Sequence, residues 1–167
     1  YNIARRATFV VGSDGKIWGG ECFLSTNLGL KRLAHFEYFP LPGGDIASKE
    51  IWRLGVSLLR KTGIDDVPGL YKNYPFGNIL KMIEKKINCP ECSSVGRIFD
   101  AVSSILGIRQ NATFEAQAAI ELESMALDFS VKKGYNFNVF FDKNANCFIV
   151  SLKETIRQIL SNKKNKI

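Results

Sequence analysis

The stretch "PLPGGD", residues 40–45, constrains this chain more than any other. Two prolines and two glycines fall within five residues, which the interior of neither a strand nor a helix accommodates. The sequence reads differently on its two sides. Before it, "ATFVVG" is a short apolar run, "SDGK" has turn chemistry, and "IWGGECFL" returns as a second extended run. After the loop "STNLG", the alternating "LKRLAHFEYF" makes a third. These residues predict a three-stranded antiparallel meander within residues 1–42.

Beyond the break the apolar period lengthens to that of a helix, with Asp45 placed to cap the first helical turn. "ASKEIWRLGVSLLRKTG" puts Ile51, Leu54, Leu58 and Leu59 on one stripe and stops at Gly63. "NILKMIEKKI" is a shorter helix closed by Pro90. "SSVGRIFDAVSSILGI" repeats Ile98, Val102, Ile105 and Leu106 at helical spacing between Ser94 and Gly107. "FEAQAAIELESMALDFSVKK" reads as one long helix from a polar start at Thr113 to Gly134. Residues 43–134 therefore read as a helical subdomain. In residues 135–167, "NFNVFF" and "CFIVSL" flank an Asn/Asp-rich turn, and "KETIRQILSNKKNKI" comes next as an amphipathic helix. The fold class expected is α+β.

With 167 residues, 46% of them hydrophobic, the chain is long and apolar enough for one real core. It contains no apolar run of membrane-spanning length, and its first residues lack the pattern of a secretory leader. A cytoplasmic setting is the expectation. The net charge of +7 raises the question of nucleic acid. The lysines, however, gather in "KMIEKKIN" and in the last five residues, without the interleaved aromatics of a nucleic-acid groove. The four cysteines, Cys22, Cys89, Cys92 and Cys147, include one C-x-x-C pair in "NCPECSS". A closed zinc site needs four convergent ligands, and the single histidine, His35, lies in an unrelated strand. No metal is expected.

The helix of residues 94–107 poses a chemical question: it carries one acid, Asp100, near Gly96 on an otherwise apolar surface. An acid in the first turns of a helix favours the positive end of the dipole, and that alone would explain it. Taken together, however, "SDGKIWGGE", "RLAHFEYFPLPGGDIASKEIWR", "SSVGRIFDAVSSILGI" and "FEAQAAIELESMA" resemble, in this order, the HypF-type carbamoyltransferases that mature nickel–iron hydrogenases. The resemblance extends from about Gly12 to the C-terminus.

It implies part of a catalytic domain related to the tRNA threonylcarbamoyl-transfer enzymes, with an actin-like α/β parent fold of the ASKHA class. It further implies an enzyme using ATP with magnesium and carbamoyl phosphate, by way of carbamoyl adenylate. The acceptor is the C-terminal cysteine of a hydrogenase-maturation partner, whose carbamoyl group becomes the iron's cyanide. Gly96, Asp100 and Glu121 are then nucleotide-pocket residues. The glycine admits backbone to the ligand, and the two carboxylates accept from ribose hydroxyls. No catalytic residue is assigned.

The sequence also departs from the family pattern. "ATFVVG" stands where the family has an Asp-Gly-rich phosphate and metal loop, and Ala116, Ile51 and Cys92 replace a Gly, a Pro and a Thr. The segment is accordingly expected to supply one wall of a nucleotide pocket, to need the rest of the carbamoyltransferase chain, and to be inactive alone. The alternative is a non-catalytic binding or interaction module, including a nucleic-acid-binding one that uses the basic surface.

Overall fold

The computed structural model describes residues 10–27, 29–64, 68–127 and 134–164. The strands are β1 (Val10–Val11), β2 (Ile17–Trp18), β3 (Glu21–Thr26), β4 (Gly29–Phe36), β5 (Phe39–Pro40), β6 (Glu91–Cys92), β7 (Asn138–Asp142) and β8 (Cys147–Ser151). A 3₁₀ turn, Gly44–Ser48, precedes helices α1 (Trp52–Lys61), α2 (Pro68–Tyr71), α3 (Phe76–Glu84), α4 (Val95–Leu106), α5 (Gln117–Ala126) and α6 (Lys153–Lys164). The mixed α+β class expected from the sequence is the class observed.

The N-terminal meander is not a single sheet. Its first hairpin joins a sheet of order β1-β2-β6-β5, and its second joins another of order β3-β4-β8-β7. The division falls at Gly19–Gly20, where the chain crosses the segment entering α4. A Cβ on Gly20 would lie 2.2 Å from the carbonyl oxygen of Ser93, so only glycine lets the two backbones pass. Parallel pairing then does what short-range patterning cannot show. Ile17 of β2 pairs with Cys92, and β4 pairs with β8 through Ala34–Phe148 to Phe36–Val150. The "ECSS" stretch, expected between helices, thus supplies strand β6, and Cys92 is wholly buried there. Burial pushes its thiol pKa up to about 11, as suits a packing residue.

Two further boundaries differ from expectation. Helix α5 begins at Gln117, because Ala116 has φ +61°, a left-handed conformation that ends the preceding turn. The expected C-terminal end of that helix, residues 128–133, lies outside the described residues, as do positions 7–9 of the first strand. Asp45 sits inside the first turn of the 3₁₀ segment, whose capping position is Gly43 with φ 92°.

Helix α1 is the centre of the core, packing on α4, α3 and β5. Its predicted stripe of Ile51, Leu54, Leu58 and Leu59 is at most 5% exposed. Within that stripe Gly55, one turn from both Ile51 and Leu59, admits a polar seam, where the Tyr71 hydroxyl hydrogen-bonds the Ser104 hydroxyl at 2.8 Å. A Cβ on Gly55 would lie 1.9 Å from the Tyr71 oxygen and 2.7 Å from the Ser104 oxygen. Both tryptophans pack, but differently. Trp52 is core, stacked near Tyr74, while half-buried Trp18 lies under the Arg32 guanidinium and donates its Nε1–H to Asp14. His35 is packed against Tyr38 and donates from Nδ1 to the carbonyl of Phe36 at 2.7 Å.

Asp14 ties the two sheets together. It accepts from the Lys16 amide, the Trp18 indole, the Arg32 guanidinium and the Tyr38 hydroxyl. Burial alone would raise its pKa, but these donors and the Arg32 charge outweigh it and hold the carboxyl at about 2. By contrast, the far part of the second sheet is uncovered and apolar. Leu24, Leu30, Phe140, Phe141 and Phe148 are each close to half exposed or more.

Gly55→Ala forces Tyr71 and Ser104 apart and should cost about 1–3 kcal/mol of stability in chemical denaturation. Asp14 has a folded pKa below its unfolded one, so its stabilising effect is complete above about pH 4 and disappears as pH falls toward 2. Asp14→Asn should therefore unfold more easily at neutral pH and lose stability less steeply through that acid window, as read from denaturation midpoints across pH.

Candidate functional site

Helix α4 begins at Ser94, whose hydroxyl accepts from the Arg97 amide, and ends at Gly107 with φ 83°. Between these stops it presents two distinct surfaces. Ile98, Ala101 and Ile105 recur at helical spacing and belong to the hydrophobic core. Gly96, Asp100 and Ser103, spaced four and three residues apart, form a separate line along the helix.

This second line carries the unusual chemistry. Asp100 is 3% exposed and Ser103 is fully buried, yet Asp100 Oδ2 and the Ser103 hydroxyl have no hydrogen-bond partner. Arg97 Nη2 approaches Oδ2 to 3.1 Å as an ion pair one turn away, without hydrogen-bond alignment. Burial raises the pKa of Asp100, and the Arg97 charge opposes that only in part. A buried carboxylate left partly unsatisfied is costly, so this side chain is poised to accept a hydrogen bond from something else. Gly96 is exposed, and a Cβ there would meet nothing nearer than 3.7 Å, so open space lies beside the helix start.

Glu121 lies on α5, which packs directly against α4. Its carboxylate is already engaged. Arg109 donates to both oxygens, through Nε at 2.8 Å and through Nη2. Gln117 donates to Oε1 at 3.0 Å and is itself anchored by Thr113, whose amide lies 2.8 Å from the Gln117 Oε1. The hydrogen bond from Arg109 is the main influence holding the Glu121 pKa below the usual carboxylate range. Oε2 receives only the Arg109 Nε bond among these contacts, so it retains capacity for another donor.

Of the residues that sequence reasoning singled out, Gly96 and Asp100 fall on one line of α4, and Glu121 stands on the neighbouring helix. Several others were not anticipated. Arg97 was readable, since an Arg three residues before an Asp is a standard helical ion pair. Arg109 was not, because its loop reaches Glu121 across twelve residues with no local period. Cys22, Cys89, Cys92 and Cys147 are unbridged, and among the described residues no group of three or more His, Cys, Asp or Glu is placed to hold a metal ion. None of the described helices is long and apolar enough to cross a membrane.

Residues 11–167 match the family described as "Carbamoyltransferase, Kae1-like Domain, second subdomain". The carbamoyltransferase HypF2 of Cupriavidus necator is 39% identical over 118 residues, 70% of this chain and 15% of its own length. A shorter HypF homolog from the same organism is 37% identical, covering 71% of this chain and 32% of its own. Full-length HypF in a phosphate- and nucleotide-bound crystal form superposes with a TM-score of 0.80 at 32% identity, over 95% of this chain and 25% of that one. HypF of T. kodakarensis gives a TM-score of 0.75 at 30% identity, over 92% of this chain and 21% of its own. The chain therefore spans between 15% and 32% of these relatives. The chain belongs to the HypF-type carbamoyltransferase family, as its second Kae1-like subdomain.

Proposed function

We propose that this chain is the nucleotide-wall subdomain of an ATP-dependent carbamoyltransferase. Its longer protein uses ATP to convert carbamoyl phosphate to carbamoyl adenylate, releasing phosphate and pyrophosphate, and transfers the carbamoyl group to the C-terminal cysteine sulfur of a hydrogenase-maturation partner, releasing AMP and the thiol proton. The observation that carries the reading is Asp100: a nearly inaccessible carboxylate with an unsatisfied Oδ2. Its fold matches a HypF structure that holds a nucleotide.

In this reading Asp100 accepts a ribose hydroxyl at Oδ2, and that bond replaces the water lost on folding. Glu121 takes the other ribose hydroxyl at the acceptor site Arg109 leaves open, while Arg109 and Gln117 fix the carboxylate's orientation. Gly96 keeps the start of α4 clear for ligand or backbone. The triphosphate with its magnesium, and the carbamoyl phosphate, are assigned to other segments of the longer protein, because a metal supplies charge neutralisation that ribose-side carboxylates cannot. Turnover needs both halves, so this segment alone is expected to be inactive. The uncovered apolar part of the second sheet supports a neighbouring segment packing there.

The test is Asp100→Asn in the complete protein. A ribose hydrogen bond to a carboxylate is worth roughly 1.5–3 kcal/mol, so nucleotide affinity by calorimetry should fall about tenfold or more. Stability should move the other way. The folded pKa of Asp100 is raised, so its ionised form becomes a burden as pH rises from the unfolded value through the folded one. At neutral pH the neutral amide should therefore raise the melting temperature and flatten its decline over that interval. Unchanged nucleotide affinity would remove Asp100 from the pocket.

A further inference from the structure

We infer that Glu21 is a positioning residue for the nucleotide wall: through Ser93 it fixes where helix α4, and hence Asp100 and Gly96, begins. The inference rests on the ribose-binding reading above and assigns a role to a side chain which that reading does not use.

The geometry is a corner with three attachments. One Glu21 oxygen, Oε2, accepts from the backbone amides of Gly19 at 2.6 Å and Gly20 at 2.9 Å. The other, Oε1, accepts a short hydrogen bond from the hydroxyl of Ser93, a residue with no exposed surface. The same crossing is tied by backbone. The Ser93 amide donates to the Ile17 carbonyl at 3.0 Å, and the Val95 amide donates to the Gly19 carbonyl at 3.2 Å. Ser94, between these attachments, caps the helix. Contact requires glycine at position 20, and a Cβ on Gly19 would press on the Ser94 side chain at 3.0 Å.

This corner is not what holds α4 in the core. The Ile98–Ala101–Ile105 surface does that. The carboxylate instead determines how far the first turn sits from the β2–β3 corner, and Gly96 lies within that first turn. Catalytic and binding groups lose much of their effect when displaced by about 1 Å, so a clamp at the start of a rigid helix acts on groups carried in its first two turns. Charge is not what the clamp needs. It needs an acceptor for two amides and a partner for one hydroxyl, and a glutamine amide offers both.

The experiment compares Glu21→Ala, Glu21→Gln, Ser93→Ala and Asp100→Asn in the complete protein, using calorimetric titration with ATP and hydrogen exchange. Glu21→Ala should weaken ATP binding about fivefold to fiftyfold at unchanged stoichiometry, and speed exchange at residues 95–98 but not at 101–106. Glu21→Gln should restore both readouts. Ser93→Ala, which removes a single hydroxyl and leaves the carboxylate on its two amides, should fall in between and is the variant of choice if Glu21→Ala does not fold. A role in stability alone would lower the binding stoichiometry and leave the dissociation constant unmoved, and that result overturns the inference. So does a Glu21→Gln variant as impaired as Glu21→Ala. If Asp100→Asn binds ATP like wild type, it is the ribose reading that fails, whatever the Glu21 variants do.

Discussion

The near-complete enclosure of helix α1 is the constraint on which the rest of the molecule depends. Seven of its ten residues are buried, so it needs partners on nearly every side. α4, α3 and β5 supply them, and each is placed by that demand. The short strands β5 and β6 hold the approach to the helix, and the Ser57 hydroxyl donates back to the Pro40 carbonyl to close it. Because α4 gives its Ile98–Ala101–Ile105 surface to the core, its polar residues gather on the other line of the helix, which is itself covered at Asp100 and Ser103. Helix packing thus encloses the acid as well as the apolar side chains.

Two aspartates show how differently one fold can treat the same side chain. Asp14 is surrounded by donors, including an indole, a phenol and a guanidinium, and its charged form is stabilised. It behaves as a structural rivet between sheets. Asp100 has the opposite environment: it is desolvated, flanked by one imperfectly aligned cation, and left with an idle oxygen. The packing of the fold accounts for Asp14, whereas the open acceptor of Asp100 is the observation on which the nucleotide reading rests.

Sequence alone carried the helical part well. The stripe of α1, the caps of α4 and the Gly63 and Gly107 stops all derive from local period and glycine stereochemistry, and these are read within one or two turns. Asp100 stood out for the same reason, as an acid on an otherwise apolar helix. The features that stayed hidden depended on residues far apart. The alternating residues 17–39 cannot reveal that Gly19–Gly20 crosses Ser93, more than seventy positions away, and so splits one expected sheet into two. A two-residue strand such as β6 has no period to read. The Arg109–Glu121 fork joins a loop to a helix, and the left-handed Ala116 that delays α5 carries a residue type seldom associated with that conformation.

The second sheet ends in β7, an outer strand whose five residues are all at least partly open to solvent, with Phe140 and Phe141 pointing to opposite sides. Such a strand has unpaired backbone donors and acceptors along one margin and oily rings above and below. Its rings bury little apolar surface among the described residues, so β7 gains far less from packing than α1 does. Stability is therefore unevenly spread through the fold, and the margin of the second sheet is where local opening costs least.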